Sequence, residues 1–161
     1  SSVIASLLNY GEMITADISK IQFIDNSAFV FPSIPVIKLS KDILDYHKFE
    51  ILDEFDLAGD MRNRKGYVVN NFDRTNSPVK ISACFVLNEE NSNEILKVDA
   101  DFAFRNLLMN SFSAIPKNEC IKSERMLLNN ISSFIKCIPI YRLPRQKNYS
   151  NKIILDFISK C

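Results

Sequence analysis

The sequence predicts an α/β fold, a mixed sheet with flanking helices, and three features carry that expectation. Short runs rich in β-branched and aromatic residues alternate in the first two thirds, as in Ile18 to Ile24 and Val36 to Leu39. Helical periodicity dominates the last third, where Leu127, Ile131, Phe134 and Ile135 recur on one side. Several strand-like runs are separated only by turns, so neighbours pair antiparallel and the sheet is not wholly parallel.

The chain opens on an apolar helix carrying Val3, Ile4, Leu7 and Leu8, stopped at Gly11. Met13-Ile14 reads as a buried strand ending at Asp17. Ile18 to Ile24 is a strand, Asp25-Asn26-Ser27 a turn, and Ala28 to Phe31 pairs back as a hairpin. Pro32 and Pro35 bracket a bend before the strand Val36 to Leu39. Ser40 caps a helix from Lys41 to about Tyr46. Phe49 to Asp60 is acidic and has no clear period. The basic cluster Met61 to Lys65 leads through Gly66 into the strand Tyr67-Val68-Val69.

Val79 to Leu87 is the clearest strand, expected to be central and buried, with the helix of Leu7 and Leu8 packed on its sheet. Ile95 to Val98 is a further strand. Asp99 or Asp101 caps a helix bearing Phe102, Phe104, Leu107, Leu108 and Phe112. Another, from about Lys122 to Ile135, places Met126 with Leu127 and Ile131 on its apolar side and covers a face of the sheet. Cys137 to Leu143 returns as a buried strand of the same sheet as Val79 to Leu87, and Asn148 to Ile158 closes as a helix.

The 161 residues fit a single domain with a substantial core, and 47% apolar against 24% charged residues is the balance of a soluble globular protein. A net charge of +1 gives no footprint for nucleic acid or a membrane surface. No apolar run approaches a membrane span and no signal peptide is visible. Cys84, Cys120, Cys137 and Cys161 form no CxxC pair, and with His47 the sole histidine a zinc site is not expected. Cys84 and Cys137 read as buried thiols in a reducing, cytoplasmic setting. His47 reads as structural or exposed. Only Gly11, Gly59 and Gly66 are present, which excludes a Walker A loop or a Rossmann fingerprint within the chain. No Ser-His-acid constellation supports a hydrolase.

An ordered set of short motifs runs along nearly the whole chain. It comprises Ser1-Ser2 and the helix to Leu8, Gly11 to Asp17, Phe29-Val30-Phe31-Pro32-Ser33-Ile34-Pro35 and Gly59-Asp60-Met61-Arg62. Cys84-Phe85-Val86-Leu87, Arg105 to Phe112 and Ile138-Pro139-Ile140-Tyr141-Arg142-Leu143 complete it. In order and spacing this resembles the HPr kinase-like proteins, which share the phosphoenolpyruvate carboxykinase type of phosphate-loop fold. Members read GKS[ST], an apolar helix, G-x-x-L-L-S-D-D, a proline-rich hairpin, a G-D-K-R type loop, I-Y-F-L, A-L-L-R-N-S-F and V-P-V-Y-R-L.

The resemblance implies a nucleotide-binding domain whose strand and glycine-rich loop lie immediately upstream of Ser1, or were never present. It implies ATP and Mg²⁺ as cofactors and phosphorylation of a serine on a small protein or peptide, with a partner chain as another source of the loop. Asp17 becomes the catalytic base or a metal ligand, Ser1 the Mg²⁺-ligating hydroxyl, and Ser1 and Ser2 phosphate ligands. Arg62, Arg64 and Lys65 bind phosphate, for which guanidinium forks are suited.

Two departures bear on activity. The lysine that neutralises β- and γ-phosphate is absent, and the family's acidic pair is reduced to one. Counted from Gly11, Asp17 is the first acid of that pair and Ile18 replaces the second. Aligned on the apolar residues that follow, Asp17 is the second and Ala16 replaces the first. The alternative function is therefore a degenerate, non-catalytic relative that binds a protein or peptide.

Overall fold

A computed structural model describes residues 4, 7–8, 10–34, 36–47, 50–59, 64–70, 77–88, 94–111, 120–144 and 151–159. Those residues form a mixed α/β structure of three small sheets and four helices. The strands are β1 (Lys20–Ile24), β2 (Ser27–Phe31), β3 (Val36–Leu39), β4 (Ile51–Asp56), β5 (Lys65–Val69), β6 (Val79–Lys80), β7 (Cys84–Asn88), β8 (Leu96–Lys97) and β9 (Ile140–Pro144). The helices are α1 (Lys41–His47), α2 (Ala100–Asn110), α3 (Cys120–Cys137) and α4 (Asn151–Ile158). The chain forms two compact units, Ser1–Phe23 with Phe29–Lys80, and Ile24–Ala28 with Ile81–Cys161.

In the first unit the strand order β3-β5-β4 is antiparallel throughout. Alternation sends Ile37, Leu39, Tyr67 and Val69 to one face, where they bury a cluster with Leu8 and Met13. Ile43 and Leu44 of α1 pack against it. Leu8 thus packs beside β3 and β5, and not on the sheet of Val79 to Leu87 as expected. Met13 is buried but makes only an isolated bridge, so Met13-Ile14 is not a strand leading to Asp17; Asp17 lies in a bend.

β1 and β2 form the expected hairpin. Asp25 and Asn26 take φ values of 46° and 60°, the left-handed conformation that a tight two-residue turn demands and that Asp and Asn tolerate. β6 joins β2 antiparallel, giving the order β1-β2-β6.

The run from Val79 to Leu87 is not one strand, which corrects the sequence reading. Val79 and Lys80 pair with β2, residues 81–83 leave the ladder, and Cys84 onward pairs with β9. The Ile81 amide donates to the Ala28 carbonyl at 2.8 Å, and the Cys84 amide to the Pro139 carbonyl at 3.0 Å. An unbroken apolar run signals burial but carries no mark of where the backbone exchanges partners. Neither piece is central, since β6 and β7 each end their sheet among the described strands, and Leu87 is 47% exposed.

In the second unit β9 is the central strand, with β7 parallel on one side and β8 antiparallel on the other. The expectation that residues 138–143 share a sheet with the 79–87 run therefore holds for Cys84 onward. Phe85 lies opposite Tyr141 with ring centroids 5.6 Å apart, and Phe157 of α4 meets both edge-on at 6.0 and 4.7 Å. Cys137 ends α3 and does not begin the strand, because the Ile138 amide still donates to Phe134 and Pro139 has no amide to give.

α2 starts at an Asp99 cap, its carboxylate accepting from the Phe102 amide at 2.8 Å, while Asp101 pairs with Arg105 at 2.7 Å. α3 buries Ile131 and Phe134 but leaves Met126 61% exposed, so Met126 is not on the apolar side. β4 lies within the stretch that showed no period. A bulge between Ile51 and Asp53 breaks its alternation, which is why the sequence hid it.

Candidate functional site

Asp17 lies in a bend fixed by hydrogen bonds among its neighbours and is itself paired with one side chain of β3. The Thr15 hydroxyl donates to the Ile18 carbonyl at 3.0 Å and shares a 2.8 Å hydrogen bond with the Ser33 hydroxyl. The Ser33 amide donates to the Ile14 carbonyl at 3.0 Å. Across this turn, Lys38 of β3 brings its ammonium 2.6 Å from Asp17 Oδ2. Ile37 and Leu39 are locked in the core, so alternation turns Lys38 to the opposite face of the sheet. The Asp17 carboxylate is 56% exposed and accessible from solvent.

Lys65, at the start of β5, has its own partners. Its ammonium donates to Glu54 Oε1 at 3.0 Å and lies 3.8 Å from Asp56 Oδ1. The Glu54 hydrogen bond, then the charges of Glu54 and Asp56, hold the Lys65 pKa above its ordinary value. The bulge in β4 produces this arrangement. With its register, Glu54 and Asp56 stand opposite Tyr67 and Lys65, while Phe55 falls opposite Gly66 on the other face.

The structure therefore does not bring Asp17 and Lys65 together. Lys65 pairs with Leu39 in the ladder, whereas Asp17 is tied to the adjacent Lys38, and the two side chains leave opposite faces of the sheet. Arg64 is half-buried just before β5. Ser1, Ser2 and Arg62 lie outside the described residues, as does the side chain of His47. Arg142 is half-buried in central β9. Lys38, Glu54 and Asp56 escaped the sequence reading. The one available signal was the lone lysine inside the apolar strand Val36 to Leu39.

Among the described residues, no group of three His, Cys, Asp or Glu side chains could hold a metal ion. Asp17 brings a single carboxylate to this turn, and the Lys38 ammonium is on it. Cys84 and Cys137 are half-buried free thiols, and burial pushes the Cys84 thiol pKa up, which keeps it unreactive. No described helix is long and apolar enough to cross a membrane. Comparison of the chain with protein-family profiles, curated proteins and solved structures gives no match.

Proposed function

We propose that this chain is an HPr kinase-like domain that works by itself as a protein- or peptide-binding module and not as a phosphotransferase. The single observation that carries this reading is the internal pairing of the charges phosphoryl transfer would use. Asp17 is spent on Lys38, and Lys65 on Glu54 and Asp56, on opposite sheet faces. A transfer site needs these charges convergent on one phosphate. The kinship itself is supported by the order and spacing of the motifs. It draws no support from the sheet, where a central strand over Val79 to Leu87 was expected.

A second reading, an ATP-dependent serine kinase acting on a small protein or peptide, keeps one favourable observation. The Asp17 carboxylate is open enough for an acceptor hydroxyl to reach it. It requires a phosphate loop supplied upstream or by a partner chain. Titration calorimetry with ATP and Mg²⁺, alongside a γ-phosphate transfer assay, separates the two. The binding-module reading expects neither micromolar ATP affinity nor transfer by this chain. Either result would replace it with the kinase.

A further inference from the structure

We propose that the face of the β1-β2-β6 sheet carrying Phe29 and Phe31 is a docking surface for an acidic peptide segment in extended conformation. The inference rests on the binding-module reading and assigns that module a surface and a partner chemistry.

Phe29 and Phe31 are two residues apart on β2 and so share a face. Lys80 of β6 stands directly opposite Phe29 in the antiparallel ladder, and opposed residues project to the same side. Lys20 of β1 is on that side too, because its ammonium lies 5.0 Å from the centre of the Phe31 ring. Two exposed ammonium groups thus flank two half-buried rings. Among the described residues neither lysine is in an ion pair, unlike Lys38 and Lys65, whose charges are already met. Both lysines of this face therefore carry a positive charge that no described carboxylate meets.

Charge complementarity selects an anionic occupant. Base stacking is disfavoured, since the rings are half-buried and Phe31 already faces an ammonium, leaving no free aromatic platform. An extended peptide instead sets alternate side chains on one side about 7 Å apart, the repeat of Phe29 and Phe31, with carboxylates to meet the flanking lysines.

The test is fluorescence anisotropy with labelled poly(Glu,Tyr) and, separately, labelled oligo(dT), at low and high salt. Wild type is expected to bind the acidic copolymer, more weakly at high salt. Lys20→Glu/Lys80→Glu is expected to lose about tenfold in affinity, from two exposed charge pairs turned repulsive. Lys20→Gln/Lys80→Gln should fall between, and Lys41→Glu on α1 should change nothing. All variants are checked by circular dichroism. No copolymer binding by wild type overturns the proposal. So does copolymer binding that the double reversal leaves unchanged, although that result leaves the binding-module reading standing on another surface. Tighter binding of oligo(dT), lost in the same double variant, overturns it in favour of nucleic acid. The ATP experiment above reads the module reading separately.

Discussion

Phe55 and Gly66 oppose each other across β4 and β5, and the ring of one covers the bare backbone of the other. A Cβ added to Gly66 would lie within 3.0 Å of three Phe55 ring carbons. Phe55 is 41% exposed, so the ring can swing into water, at the expense of its packing. Gly66→Ala is therefore expected to destabilise the protein by about 1 kcal/mol. In a Phe55→Ala background the same change should become neutral or stabilise by up to about 1 kcal/mol, since alanine restricts the unfolded chain. Urea denaturation of the four proteins in this cycle measures the sign reversal; no reversal means the ring is not what keeps glycine there. On the same ladder, Lys65 makes a prediction for alkaline pH. Its folded pKa lies above the ordinary 10.5, so its contribution is complete below 10.5 and is lost as pH rises through the folded value. The urea midpoints of wild type and Lys65→Met should therefore differ at pH 9 and converge as pH climbs past the folded pKa. A gap that persists there would mean that packing of the lysine stem, not its charge, matters.

At the scale of elements, α2 shows how a single side chain sets a boundary. Asp99 satisfies the Phe102 amide, one of the donors a helix start leaves unpaired, and the Ser111 hydroxyl donates to the Leu107 carbonyl at the other end. Asp99→Ala should cost about 1 kcal/mol, whereas Asp99→Asn should retain most of that stability because asparagine caps equally well. Thermal unfolding of the pair checks this, and equal losses from both would show that capping is not the role of Asp99. The cap was legible in the sequence down to a choice of two aspartates, because capping is a local interaction. The hairpin turn at Asp25-Asn26 was legible for the same reason. β4 was not, because its bulge pairs Ile51 and Glu54 with the core-facing residues Val69 and Tyr67, so no simple alternation marks the strand.

For the whole molecule, exposure decides what an apolar residue is worth. Leu39, Ile34 and Met126 are similarly hydrophobic, yet Leu39 is fully buried while Ile34 is 74% and Met126 61% exposed. Leu39→Ala is expected to cost about 2–5 kcal/mol, a large part of a typical domain stability of about 5–15 kcal/mol. Ile34→Ala and Met126→Ala should each stay within about 0.5 kcal/mol. Equal effects in equilibrium denaturation would contradict the packing described. The sequence by itself determined the mixed α/β class, the β1-β2 hairpin, the strand of Val36 to Leu39 and the helix that Asp99 caps. Each is written in short-range periodicity, turn chemistry or capping, whose energies depend on neighbours in the chain. Only the tertiary structure decided that the 79–87 run divides between two sheets, that Asp17 meets Lys38 and that Lys65 turns to Glu54 and Asp56. The same holds for the two lysines that flank Phe29 and Phe31. Those outcomes depend on contacts between residues far apart in sequence, and local propensity carries no information about which distant charge or strand will arrive.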